Sequence, residues 1–169
     1  MFDLAECRAR YSAMRPRILS GFNVTDVTPV EWIDNESSIR FDFELTCTCG
    51  SQSLSISGAA DPEWDLLFAP VRIRCRDCSQ QLMEFDETRD GYDGELGHLP
   101  ARDVNSAEPR REYDARKSQP LVAAVYYMAD VLDDADLAPR ARDLFGWFQI
   151  WRSEPASQGQ RMLVDCECA

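Results

Sequence analysis

An α+β fold is predicted for this chain of 169 residues, and three observations predict it. Two segments alternate apolar and polar side chains in the strand-turn-strand manner of β-hairpins. A pair of cysteines sits at the turn of each, and other segments repeat apolar residues at helical spacing. The expected architecture is antiparallel β-hairpins joined by a four-cysteine site, with an N-terminal helix and one or two C-terminal helices. The length fits a single domain, 1–169, with enough chain to bury a core.

Leu4, Cys7, Tyr11 and Met14 fall on one helical face behind the capping pattern of Asp3 and Glu6, which predicts the N-terminal helix and makes Cys7 a small buried member of its stripe. Beyond Pro16 and Gly21, "SIRFDFELTC" places Ile39, Phe41, Phe43 and Leu45 on one face and Arg40, Asp42 and Glu44 on the other, a half-buried strand. Leu54 and Ile56 resume the alternation, so a hairpin with Cys47 and Cys49 at its tip is expected. A second hairpin follows, with Val71, Ile73 and Cys75 facing one way, a turn through Cys78, and a return strand from Leu82 to Phe85.

Residues 87–119 are polar, rich in Gly and Pro and without sustained period, which predicts a long exposed loop carrying a short helix near 108–117. Ser118 and Pro120 read as a helix start for Leu121, Val125, Met128 and Leu132, although Val122, Tyr126 and Tyr127 favour strand. The stretch "DDADLAPRARDLF" is the stronger helix. Acidic residues precede its Pro139, Leu137, Ala141, Leu144 and Phe145 share a face, and Gly146 marks its end. The segments "WFQIWRSE" and "RMLVDCEC" then pair as a hairpin across "PASQGQ".

Zinc in a structural site takes four soft ligands at tetrahedral corners, and two tight turns that each offer a thiolate pair meet that demand with little strain. Cys47, Cys49, Cys75 and Cys78 are therefore the candidate metal ligands, with Gly50 letting the backbone turn so that amides point at the sulfurs. The layout over residues 39–86 resembles the zinc-ribbon or zinc-knuckle class, which implies one structural zinc ion. It departs from that class in its first pair, Cys-x-Cys, where ribbons commonly carry Cys-x-x-Cys in both knuckles.

A thiol redox centre is the competing reading, since Arg74 and Arg76 flank Cys75. Against it, the second pair sits in a strand-turn-strand pattern and not in the strand-to-helix turn of a thioredoxin-like site. Cys166 and Cys168 share a strand face as a third pair. With no fourth pair a second closed four-thiolate site cannot be built in one chain, so no metal role is assigned to them beyond replacing a ligand above.

With 18 Lys+Arg against 30 Asp+Glu, the net charge of -12 repels nucleic acid and anionic membranes and points to a basic partner. Arg72, Arg74 and Arg76 could be read as a nucleic-acid stripe, but Asp42 and Glu44 are expected to pair with them across strands. Residues 39–86 hold four arginines against eight acidic side chains, a poor binder of polyanions.

No phosphate loop, nucleophile elbow or HExxH helix occurs, and a single histidine, His98, beside four thiolates argues against hydrolytic zinc. Asp90, Asp93, Glu95 and His98 fit a Gly-built turn, and Asp130, Asp133, Asp134 and Asp136 fit helix capping. Lys117 is the sole lysine, an arginine bias that suggests a G+C-rich bacterial genome. The absence of a signal-peptide core and of any run of about 18–20 apolar residues predicts a cytoplasmic, reducing compartment. The expectation is a non-catalytic, zinc-stabilised bacterial protein that binds another protein, such as an immunity protein or antitoxin. A nucleic-acid-associated zinc-ribbon accessory factor and a thiol redox protein or sensor are the alternatives.

Overall fold

Nine strands form two antiparallel sheets in the computed structural model, which describes residues 9, 15–31, 39–61, 63–91, 110–114, 120–126, 130–154 and 159–168. Strands β1 (Phe22–Glu31), β2 (Ile39–Cys47), β7 (Leu121–Tyr126), β8 (Trp147–Glu154) and β9 (Gly159–Glu167) make a five-stranded sheet in the order β1-β2-β7-β8-β9. Strands β3 (Leu54–Ala60), β4 (Leu67–Cys75), β5 (Gln81–Phe85) and β6 (Arg110–Asp114) make a four-stranded sheet in the order β5-β4-β3-β6.

The two sheets share one core, as alternating strands with a single apolar face must. Phe41, Phe43 and Leu45 of β2, Val122, Ala124 and Tyr126 of β7, and Phe148 and Ile150 of β8 meet Leu54, Ile56, Val71, Ile73 and Phe85 from the other sheet. The contact is direct, because the Phe85 and Phe148 rings stack at 4.4 Å and Phe145 tilts against Phe148 at 5.4 Å. On the outer face of β8, Trp147 and Gln149 both donate to Asp165 Oδ1, at 2.6 and 2.8 Å. Gln149 therefore lies buried with its amide engaged.

The α+β architecture read from the sequence is corrected here: the fold is mostly antiparallel β-sheet. Among the described residues, helical geometry is confined to Ala9, α1 (Asp130–Asp133) and two short 3-10 turns, Arg17–Leu19 and Ala138–Asp143. The helix expected from Pro120 is β7, flanked by β2 and β8 and buried from Val122 through Tyr126. A run buried on both faces carries no alternation to reveal a strand, so only its β-branched and aromatic content spoke for one. The helix expected across 133–145 shrinks to a 3-10 turn. Asp134 Oδ1 accepts the amides of Asp136 and Leu137 at 2.8 and 3.0 Å, a side-chain turn that competes with helix propagation.

Within the segment read as an exposed loop with a short helix, Arg110–Asp114 is instead β6, which pairs with β3 so that Tyr113 lies opposite Ile56. The β4–β5 and β8–β9 hairpins form as expected. The first hairpin does not, because β2 and β3 belong to different sheets and the cysteine turn between them carries the chain from one to the other. The N-terminal stripe with Cys7, and Asp93, Glu95 and His98, lie outside the described residues. No described helix is long and apolar enough to cross a membrane.

Gly91 closes one end of the core. Its φ of +97° suits glycine, and a Cβ there would fall 2.5 Å from Cys168 Cβ and 2.9 Å from the Phe145 carbonyl oxygen. Gly91→Ala is expected to destabilise the fold by about 1–3 kcal/mol. A lower urea midpoint at unchanged slope would register it.

Candidate metal centre

The site is placed by strand register. Antiparallel pairing of β3 with β4 sets Leu54 opposite Cys75, so the start of β3, just after the first cysteine pair, lies beside the end of β4, where the second begins. The Arg76 amide then donates to Ser53 O at 2.9 Å, and Ser51 Oγ donates to Asp77 Oδ2 at 2.6 Å, which ties one turn to the other. Each turn also closes on itself. The Cys47 amide donates to Ser51 O and the Cys75 amide to Gln80 O, both at 2.9 Å.

These closures explain the unequal spacers, because the first turn is one residue shorter and its closing bond spans one residue fewer. In both turns the residue directly after the second cysteine adopts a left-handed backbone, Gly50 at φ +87° and Ser79 at φ +63°. The single-residue spacer is thus absorbed within the turn. Gly50 has open space around its Cβ position, so the dihedral alone makes it glycine. Ser79→Gly is expected to raise stability by about 0.5–1 kcal/mol and Gly50→Ala to lower it by about 1–2 kcal/mol. Thermal melts of the two variants would check these opposite signs.

The four cysteines predicted as ligands come together, with their Sγ atoms all within 4.8 Å of one another. Two approaches cross between the turns, Cys47 to Cys78 at 3.6 Å and Cys49 to Cys75 at 3.7 Å. Four sulfurs about 2.3 Å from a central ion would stand about 3.8 Å apart at tetrahedral corners. The observed approaches fit such a tetrahedron and are far from the roughly 2.05 Å of a disulfide. The cluster can therefore hold a metal ion.

Backbone amides surround the sulfurs. The Cys49 amide points at Cys47 Sγ from 3.5 Å, and amides of Ser51, Asp77 with Cys78, and Gln80 bond Cys49, Cys75 and Cys78 respectively. Such donors favour thiolates. Burial is the largest influence on Cys75 and pushes its thiol up, yet the Cys78 and Asp77 amides with the sulfurs of Cys78 and Cys47 bring it down to about 6.

Cys49 goes the other way. The Ser51 amide, its largest influence, lowers it, but the Cys47 sulfur, burial and the sulfurs of Cys75 and Cys78 together push it up to about 12. Cys78 is likewise raised: the Gln80 amide lowers it, and burial with the sulfurs of Cys75 and Cys47 outweighs that. One thiol ionises readily and its neighbours then resist, a conflict that a cation at the centre removes.

Cys166 and Cys168 are not in this cluster. Cys168 is buried and its thiol is pushed far up, first by a hydrogen bond with the Cys166 sulfur, then by burial and by the charges of Glu87 and Asp90. It is a neutral packing group. The arginine stripe also finds partners other than those expected. Arg72 pairs with Glu84 at 2.7 Å, Arg76 with Glu112 at 3.0 Å, and Arg74 Nε donates to Ser79 O at 2.8 Å. Asp42, on β2 of the other sheet, pairs with Arg40 at 2.6 Å instead.

The contribution of Ser79 and the Ser51–Asp77 link had no signal in the sequence beyond their places beside the cysteines. Asp90, read as part of a turn, accepts the Asp86 amide at 2.9 Å and the Arg89 guanidinium at 3.0 Å. Fold and site together define a two-sheet β-sandwich with a four-cysteine cluster at the point where the chain passes between sheets. Comparison with family models, curated proteins and solved structures finds no match for the chain.

Proposed function

We propose that the chain is a non-catalytic, protein-binding β-sandwich whose sheets are stapled by one structural zinc ion. The observation that carries this reading is the convergence of four cysteine sulfurs, with no other ligand type joining them among the described residues. Four thiolates make the closed form of a zinc site, with no position left for water or substrate. Soft sulfur ligands in a tetrahedron also suit zinc among the common divalent ions. Function then resides on the surface.

Trp64 supports a protein partner. It is 71% exposed, the one exposed large hydrophobic side chain among the described residues, and it projects from the loop between β3 and β4. That loop is braced. Asp61 Oδ1 accepts the amides of Glu63 and Trp64 at 2.6 and 2.9 Å. Asp65 accepts the Tyr113 hydroxyl at 2.9 Å and pairs with Arg111 and Arg161. An exposed indole beside exposed Glu63, on a chain of net charge -12, suits a basic protein that lays Lys or Arg on the ring. Inhibition of a basic toxin by an immunity protein or antitoxin is a role of this kind. The nucleic-acid alternative loses ground because Arg72 and Arg76 are engaged with acidic partners.

A photo-crosslinking residue at position 64, compared with one at exposed Glu167, tests the surface in cells. A protein adduct specific to position 64 is expected. Nucleic-acid adducts, or the same adducts from both positions, would overturn the protein-binding reading.

A further inference from the structure

Resting on the zinc reading, we propose that the centre is a hydroperoxide-sensitive switch in which two disulfides, Cys47–Cys78 and Cys49–Cys75, replace the metal as the staple. The close approaches of 3.6 and 3.7 Å both run from one turn to the other. Each approach also joins one buried thiol to one exposed thiol: Cys47 and Cys75 are buried, Cys49 and Cys78 exposed. An oxidant from solvent reaches the exposed member of each pair, and the buried member stands within about 1.7 Å of disulfide distance to resolve it.

The chemistry follows the usual thiol course. The exposed thiolate attacks one peroxide oxygen, the O–O bond breaks, and a sulfenic acid forms as the other oxygen leaves with a proton as water or alcohol. The buried thiolate then attacks that sulfur, the S–O bond breaks, and the oxygen leaves with a proton as water. One zinc with four thiolates, two hydrogen peroxide molecules and four protons become one zinc ion, two disulfides and four waters. Four electrons pass from sulfur to oxygen, and the charge is +2 on both sides.

The pairing decides the outcome for the fold. Both cross-turn disulfides join the β2–β3 passage to the tip of the β4–β5 hairpin, the same two places that the metal joins. Disulfides within each turn would leave the two unlinked. Oxidation along the observed approaches therefore releases zinc and keeps the sandwich closed.

The test treats zinc-loaded protein with two equivalents of hydrogen peroxide. Released zinc is read with a chromogenic chelator, thiols are titrated, and the unreduced protein is mapped by trypsin and mass spectrometry. Cleavage after arginine yields residues 41–72, 75–76 and 77–89 as the pieces that carry the four cysteines. Release of one zinc per chain, a loss of four thiols and retention of the folded spectrum are expected. Residues 41–72 should hold both smaller pieces, and fragmentation between Cys47 and Cys49 should assign 77–89 to Cys47. Linkage within each turn, the opposite cross-pairing, or zinc loss with unlinked oxidised cysteines would overturn the switch and leave the zinc reading standing. Protein that carries no zinc before peroxide would overturn the zinc reading itself.

Discussion

Replacing Cys75 by serine is expected to strip the metal and lower the melting temperature by about 8–16 °C. A ligand present at a thousand times its dissociation constant stabilises the folded state by about 4 kcal/mol. For a chain of this size each kcal/mol moves the melting temperature by about 2–4 °C. Chelation of the wild-type protein should reproduce the shift, which separates metal loss from the packing defect that serine introduces at a buried position. Cys166→Ser should keep its metal, because that sulfur lies outside the cluster. Acid should act like the chelator, since binding requires thiolates and protons displace the metal as pH falls. Calorimetry of the two variants with and without chelator is the check.

Phe148→Ala is expected to cost about 3–5 kcal/mol, a large share of the roughly 5–15 kcal/mol that holds a typical domain folded. Phe148 is fully buried where the sheets meet, stacked on Phe85 and tilted against Phe145. Its removal opens a cavity that rigid strands on both sides cannot fill. Denaturant unfolding should show the loss, while metal content should stay unchanged because strand register places Phe148 beside Ala124 and Phe41, away from the Cys47 end of β2. Phe148→Leu should cost much less. Set beside Cys75→Ser, Phe148→Ala thus separates the contribution of the shared core from that of the proposed metal staple.

The candidate site was legible in the sequence because it depends on local patterns: paired cysteines in tight turns, each at the end of an apolar strand. Alternation in 39–45 and 71–75 marked β2 and β4, and the aromatic-rich ends marked the β8–β9 hairpin. Which strands pair was less legible. Nothing local tells that the chain leaves one sheet at Cys47 and joins another at Leu54, since a hairpin and a sheet-to-sheet turn have the same alternation. Arg110–Asp114 becomes a strand only because β3 offers it an open edge. Leu121–Tyr126 was ambiguous because burial on both faces erases its period. The acidic stretch before Pro139 has the composition of a helix start, but Asp134 uses its capping ability to form a turn instead.

X-ray absorption at the zinc edge of the native protein tests the central claim most directly. Four sulfur neighbours at about 2.3 Å, at one zinc per chain, are the predicted result. Nitrogen or oxygen neighbours in the first shell, or protein that folds as stably without any bound metal, would contradict a four-cysteine staple between the sheets.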